Sequence, residues 1–222
     1  FLNAYLGRMG PVIQEYGGFV NQFYGDGIMA LFLDESDKAL KASVNMIQTL
    51  QDYNDERHDK HRQPLRIGIG LHMGSLMMGM IGDDKRLDTG LVADTVNTSS
   101  RVEGLTKHYG VDILISGAIY DQLKHPEDFH TRYLGKVQAK GKEETLELYE
   151  CFDGGGEEEV KLKQESLATF QEGISYYQAG KFAEAVAAFS KVLAANPVDK
   201  PAKLFWEKAQ AYSNQQPSEH WD

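Results

Sequence analysis

Cysteine is almost absent from this sequence, which contains a single one, Cys151. One thiol excludes an internal disulfide and favours a reducing compartment. Positive charge is also scarce, since 23 Lys and Arg face 33 Asp and Glu, for a formal net charge of -10. This deficit argues against non-specific binding to nucleic acid or to an anionic membrane surface, because both require an excess of cations.

Long apolar runs are missing as well. No stretch approaches the ~18 residues of a membrane-spanning helix, and no signal peptide is present. The chain starts at Phe1 rather than Met, within an apparent amphipathic helix. We therefore expect a cytoplasmic fragment that makes no membrane contact itself, although a preceding segment of the full-length protein could anchor it to a membrane.

Hydrophobic residues make up 41% of the chain, enough to form a packed core. Up to residue 152, helical periodicity alternates with short runs typical of strands, and glycine-rich turns separate them. Residues 19–23 and 28–32 predict a hairpin with Asp26 at its tip. The mixture predicts an α+β sandwich with helices packed on a mainly antiparallel sheet.

The last third of the chain has a different composition. Three glycines followed by three glutamates, residues 154–159, are typical of a linker, and the pattern beyond them is wholly helical. Small and aromatic residues recur there at the spacing of one tetratricopeptide repeat: Gly173, Tyr176, Gly180, Phe182, Ala185, Phe189 and Pro197. One repeat is too small to be stable alone, so it should dock on the main domain, pair with another copy or belong to a longer array.

Four motifs occur in a fixed order along the first two-thirds of the chain. They are 23–32 (FYGDGIMALF), 67–74 (IGIGLHMG) with 79–82 (GMIG), 94–106 (DTVNTSSRVEGLT), and 137–142 (VQAKGK) with 148–150 (LYE). Together they resemble the class III adenylyl and guanylyl cyclase catalytic domain. The resemblance implies a ferredoxin-like cyclase sandwich and an enzyme that forms a cyclic 3',5'-nucleotide and pyrophosphate from a nucleoside triphosphate.

The resemblance also implies two metal ions, Mg²⁺ or Mn²⁺, held by two aspartates. Carboxylate oxygen suits such hard cations, which would activate the ribose hydroxyl and hold the phosphates. Asp26 matches the second of these aspartates; otherwise it is an ordinary turn residue. The first is expected on a strand that precedes the opening helix and lies before Phe1. Little or no activity is therefore expected from this chain alone.

Three further residues match the family's substrate contacts. Asn97 and Arg101 match the pair that orients the ribose and stabilises charge on the transferred phosphate, and their four-residue spacing puts both on one helix face. Lys140 matches the lysine that contacts the terminal phosphates. Without the resemblance, these residues would indicate only a polar helix face and a charged turn.

Recognition of the base is where the sequence departs from the family. Gln22 stands where adenylyl cyclases carry a lysine, and Gly90 stands where they carry Asp or Thr. Asp88 and Thr89 lie one or two residues away and could serve if the backbone shifts. A Gln can hydrogen-bond either purine. ATP is the preferred prediction and GTP remains open.

In this family two protomers share each site, so the resemblance implies a homodimer. Gly68 and Gly70 predict close approach of another backbone or a ligand to one face of their strand. These glycines and the methionines of residues 73–80 could lie near the dimer interface, although the methionines could equally fill gaps in the core.

The boundaries that follow are residues 1–152 for the catalytic domain, 153–163 for a linker, 164–214 for the helical repeat and 215–222 for a tail. Two other functions stay open. The domain could be a degenerate cyclase homologue with a regulatory or dimerisation role, or the repeat could bind a protein partner. Retention of Asp26, Asn97 and Arg101 favours the enzyme.

Overall fold

The computed structural model contains helices and strands of the mixed kind that the sequence predicts. It describes residues 2–83, 86–92, 94–138 and 145–214, with the backbone alone for 78, 80–83 and 86–92. The α-helices within these residues are α1 Leu2–Glu15, α2 Ser36–Asp59, α3 Asp94–Tyr109, α4 Gly117–Tyr120, α5 Glu157–Gln178, α6 Phe182–Ala195 and α7 Lys200–Asn214. The strands are β1 Phe19–Tyr24, β2 Gly27–Leu31, β3 Ile69–Leu71, β4 Met77–Asp83, β5 Arg86–Val92, β6 Ile113–Ser116, β7 Thr131–Gln138 and β8 Thr145–Cys151.

The central sheet has four strands in the order β3-β6-β8-β7. β3 and β6 are parallel, whereas β8 is antiparallel to both of its neighbours. Two antiparallel hairpins, β1–β2 and β4–β5, form separate two-stranded sheets. The predicted α+β class, with helices on a mainly antiparallel sheet, is confirmed.

Both faces of the central sheet are covered, because its strands alternate apolar side chains between two cores. In β6, Ile113 and Ile115 face a core that includes residues of α2 and α4. Leu114, between them, faces a second core, which it shares with α3 and the C-terminal helices. A third, smaller core joins α1 to α2.

The C-terminal helices pack directly on this second face of the sheet. Phe170 of α5 and Phe205 of α7 are buried in one cluster with Leu134 of β7 and Leu148 of β8. Of the three arrangements open from the sequence, docking on the main domain is therefore the one observed. The expected linker over 153–163 is shorter than predicted, because α5 begins at Glu157. Glutamates in the first turn of a helix interact favourably with its dipole.

Some elements are short. Strand β3 covers only Ile69–Leu71, and α4 is the four-residue helix Gly117–Tyr120. A turn of 3-10 helix follows at Pro126–Asp128. Within the described part of the chain, none of the helices has the length and apolar character needed to cross a membrane.

Asp37 connects the start of α2 to the loop after α4. Its carboxylate is buried and accepts hydrogen bonds from the backbone N–H groups of Lys124, at 2.9 Å, and His125, at 3.0 Å. Burial alone would raise the pKa of Asp37, but these hydrogen bonds outweigh it and lower the pKa below its ordinary value. The loop is thus held by a carboxylate that must stay ionised.

Candidate active site

Asp26 lies in the turn between β1 and β2, as predicted. Tyr24 pairs with Gly27 across the hairpin, which leaves Gly25 and Asp26 as the two turn residues. Gly25 has a φ of 64°, a conformation that glycine adopts without strain. The Asp26 side chain is exposed. Burial raises the pKa of the Tyr5 phenol on α1, and the nearby negative charge of Asp26 raises it further. The hairpin thus presents one carboxylate to solvent at a fixed position.

A β-bulge in β1 sets the position of Gln22. The register shifts between Val20, opposite Ala30, and Gln22, opposite Met29, so that Asn21 is an extra residue. Bulges re-aim the side chains that follow them. Gln22 is exposed, and its Oε1 accepts a hydrogen bond of 3.0 Å from the Tyr24 hydroxyl.

Asn97 and Arg101 lie on the solvent-facing side of α3, one turn apart. The opposite side of this helix is buried through Thr98, Val102 and Thr106. The helix therefore has one packed face and one polar face that displays the amide and the guanidinium together.

Close contact between α3 and β3 fixes this orientation. A Cβ atom added to Gly70 would lie 2.1 Å from the backbone nitrogen of Glu103, and one added to Gly68 would lie 2.0 Å from Oγ1 of Thr106. The predicted close approach of another backbone is thus confirmed, and the neighbour is α3. The face of β3 that carries both glycines is therefore covered by α3 of the same chain.

The remaining predicted contacts are only partly described. Lys140 lies outside the described residues. Asp88, Thr89 and Gly90 lie on β5, where the backbone pairs with β4 without a register shift and leads toward α3. The structure therefore places Gln22 and Asp26 on one hairpin and Asn97 and Arg101 on one helix, as two separate groups within the chain.

The donors present fit part of a metal site. An exposed carboxylate at a tight turn is the hard oxygen ligand that Mg²⁺ and Mn²⁺ prefer, so Asp26 suits one ligand position. Among the residues that the structure describes, no group of three or more His, Cys, Asp or Glu side chains could hold a metal ion.

A buried charge network that the sequence interpretation missed lies where the C-terminal helices meet the sheet. The Arg132 side chain is 0% exposed; its Nε donates to Glu150 Oε2 at 2.5 Å, and its two terminal nitrogens donate to Asp199 at 2.7 and 3.0 Å. Lys163 of α5 donates to Glu150 and to Glu159, both at 2.7 Å. We refer to these five residues as the buried charge network.

One pattern could have indicated this network. Arg132 and Leu134 alternate along β7, and Leu148 and Glu150 alternate along β8, so both charges share a strand face with core leucines. A small cleft of about 70 Å³ beside the network is lined by Arg66, Asp112 and Lys163 among others. Ligand sites usually occupy several hundred Å³, so this cleft is too small for a nucleotide.

Comparison with known proteins agrees with this geometry. The family described as Adenylate and Guanylate cyclase catalytic domain matches residues 2–151. An adenylate cyclase of Anabaena cylindrica is 46% identical over 156 residues, which cover 68% of this chain and 31% of that protein. The terminal-differentiation-specific adenylate cyclase of Dictyostelium discoideum is 31% identical over 214 residues, 94% of this chain and 10% of that protein. The chain thus spans less than a third of the length of these relatives.

Solved structures show the same similarity. A bacterial light-regulated adenylyl cyclase matches with a TM-score of 0.58 and 28% identity, covering 72% of this chain and 80% of that one. The guanylyl cyclase Cya2 matches with a TM-score of 0.58 and 32% identity, covering 70% and 80% of the two chains.

Proposed function

Because this chain belongs to the adenylate and guanylate cyclase catalytic domain family, we propose that it provides the catalytic domain of a nucleotidyl cyclase that converts ATP, in preference to GTP, into a cyclic 3',5'-nucleotide and pyrophosphate for intracellular signalling. The observation that carries the proposal is the exposed pair Asn97 and Arg101, displayed on one face of a helix that packs closely against β3. A degenerate homologue has no chemical reason to keep this pair together with Asp26.

The reaction joins the ribose 3'-oxygen to the α-phosphorus. The bond from that phosphorus to the oxygen bridging the β-phosphate breaks, the hydroxyl proton leaves, and pyrophosphate departs. In this proposal Asn97 orients the ribose, and Arg101 provides fixed positive charge where the α-phosphate gains negative charge. Lys140 contacts the terminal phosphates. When bound, Mg²⁺ or Mn²⁺ would lower the pKa of the 3'-hydroxyl and hold the phosphates, with Asp26 as one ligand.

The site is proposed to form between two copies of the chain, one presenting Asp26 and the other presenting Asn97 and Arg101. Two equivalent sites would result from the symmetry of a homodimer. Exposed apolar side chains support this arrangement: Met73 is 38% exposed, Met77 is 73% exposed, and Phe23, beside the Asp26 turn, is 52% exposed. Side chains with this exposure do not fill gaps in the core, so their apolar surface is available to a second copy of the chain.

The preference for ATP rests on the relatives, because a Gln at position 22 can hydrogen-bond either purine. The relative that shares 46% identity is an adenylate cyclase, although similarity to the guanylyl cyclase Cya2 keeps GTP open as a second substrate.

The alternative of a protein-binding module is less well supported. If α5, α6 and α7 form a tetratricopeptide-like unit, Phe170 and Phe205 from two of its helices are already buried in one core with leucines of the sheet. Their apolar faces are therefore covered by the chain itself rather than open to a peptide.

The experiment is a cyclase assay with ATP or GTP and with Mg²⁺ or Mn²⁺. It compares the 222-residue chain with a chain extended at its N-terminus by a strand that carries a second metal-binding aspartate. The extended chain should produce cAMP faster than cGMP, and the shorter chain should give little of either. Absence of both products from the extended chain would overturn the proposal.

Substitutions in α3 test the assigned roles. Asn97→Ala and Arg101→Ala should each lower kcat by about 100-fold or more, the effect of losing one preorganised contact to the transition state. Lys107→Ala removes an exposed cation from the last turn of the same helix and serves as the matched control. Near-normal turnover in both test variants would reject the assignment.

A further inference from the structure

The carboxamide of Gln22 is already engaged by a neighbour within its own strand. The Tyr24 hydroxyl donates a hydrogen bond of 3.0 Å to Gln22 Oε1. The two residues lie two positions apart on β1, after the bulge, so their side chains share one face of the strand. Both side chains are exposed, and Tyr24 is 57% exposed. The pair is thus open to a ligand on the same face.

This hydrogen bond makes the Gln22 amide directional. A free Gln side chain can rotate its amide to present either the carbonyl oxygen or the NH₂ group. With Oε1 held by the Tyr24 hydroxyl, the Nε2 donors are presented outward. Gln22 therefore faces a ligand as a hydrogen-bond donor.

Purine bases differ along the edge that such a donor could meet. Adenine offers the acceptor N1 beside the donor 6-amino group, whereas guanine offers the acceptor O6 beside two donors, N1–H and the 2-amino group. An outward NH₂ group can satisfy adenine N1 and leaves one amino group without an acceptor; with guanine it can satisfy O6 but leaves two donor groups without one. Unsatisfied polar groups in a desolvated site are costly, so this arrangement discriminates between the bases.

We infer that Tyr24 is a specificity-determining positioning residue, which holds the Gln22 amide with its donors outward and so favours adenine over guanine. The inference rests on the proposed function, in which Gln22 faces the base. It also gives a reason why a glutamine at this position selects ATP, a choice that the glutamine alone leaves open.

The test compares substrate selectivity in the extended, active chain. The ratio of kcat/KM for ATP to kcat/KM for GTP is measured for the parent and for Tyr24→Phe, which keeps the ring and removes the hydroxyl. The ratio should fall about tenfold, the scale of one net hydrogen bond, mainly because turnover of GTP improves. A purely structural role of the ring would leave the ratio unchanged.

Tyr16→Phe is the matched control. The Tyr16 hydroxyl accepts a hydrogen bond of 2.8 Å from Asn45 Nδ2. This is also a tyrosine–amide pair, but it joins α2 to the residue that follows α1 and does not involve the hairpin turn. Its removal should leave the selectivity ratio unchanged.

A double-mutant cycle with Gln22→Ala tests whether Tyr24 acts through the amide. In the Gln22→Ala background, Tyr24→Phe should have no further effect on the ratio. A persisting effect would show that the tyrosine acts directly and would overturn the inference, as would an unchanged ratio in the single variant.

Failure of the proposed function gives a different result, namely no turnover of either nucleotide by the parent. The same comparison is then made with the dissociation constants of ATP and GTP, measured by calorimetry. An unchanged ratio of dissociation constants in Tyr24→Phe, or no binding of either nucleotide by the parent, overturns the role of Tyr24.

Discussion

Replacing Asp199 by Asn should destabilise the whole protein, although this residue lies far along the chain from the candidate active site. Both carboxylate oxygens accept hydrogen bonds from Arg132, and Oδ1 also accepts one of 3.0 Å from the Ala202 backbone N–H at the start of α7. Both charged side chains are 0% exposed. Asp199→Asn keeps the size of the side chain and removes its charge.

The magnitude follows from the balance of buried charge. In the buried charge network, two cations face two fully buried carboxylates and the half-exposed Glu159, so removing one buried carboxylate leaves Arg132 under-compensated. Breaking a buried ion pair costs about 3–5 kcal/mol. With a urea m-value of about 2 kcal/mol/M, the unfolding midpoint should fall by roughly 2 M.

Urea denaturation followed by circular dichroism measures this change. Asp128→Asn is the control, because Asp128 forms an exposed ion pair of 3.2 Å with Lys41, whose loss should cost at most about 1 kcal/mol. The double variant Arg132→Met/Asp199→Leu should regain most of the lost stability, since apolar replacements of a buried pair are often neutral. Equal midpoints for Asp199→Asn and Asp128→Asn would refute the reasoning.

Three further predictions concern the packing and ionisation described above. Gly70→Ala on β3 should unfold the domain or displace α3 and lower kcat, because the new Cβ would lie 2.1 Å from the Glu103 nitrogen. Gly104→Ala on α3 has open space around the new Cβ and should stabilise that helix by about 1 kcal/mol. Thermal unfolding distinguishes the two variants. Because the pKa of Asp37 is lowered in the folded state, its contribution to stability should be complete above its unfolded pKa of about 3.9 and disappear as the pH falls through the lower folded value. The free energies of unfolding of the parent and of Asp37→Asn should therefore converge as the pH falls below about 3.9, and parallel curves would contradict this. Burial raises the pKa of the Cys151 thiol, so iodoacetamide should label it slowly in the folded protein and rapidly in urea; fast labelling of the folded state, measured by mass spectrometry, would be inconsistent with the packing.

The sequence predicts the order of the elements because the strands and helices differ clearly in apolar period. It also predicts the close contact at Gly70, since a glycine alternating with apolar residues leaves room for another backbone. The bulge at Asn21 could not be predicted, because the register depends on which residues of β2 stand opposite.

The C-terminal segment shows where local patterns are insufficient. Residues 157–159 have the composition of a charged linker, yet they form the first turn of α5, because Lys163 further along that helix binds Glu150 in the sheet. Arg132 likewise finds a partner 67 residues away in sequence, at Asp199. Contacts of this kind depend on the tertiary fold rather than on any local pattern.

The sheet and the C-terminal helices share one core, so the folded domain extends beyond the residues that the family match covers. The match to the cyclase catalytic-domain family stops at residue 151, but Leu134 and Leu148 are covered by helices that begin at residue 157. A chain cut at residue 152 would expose these leucines and leave Arg132 without Asp199. A laboratory exchange of this domain would therefore keep its second core covered only if it carried the three helices with it.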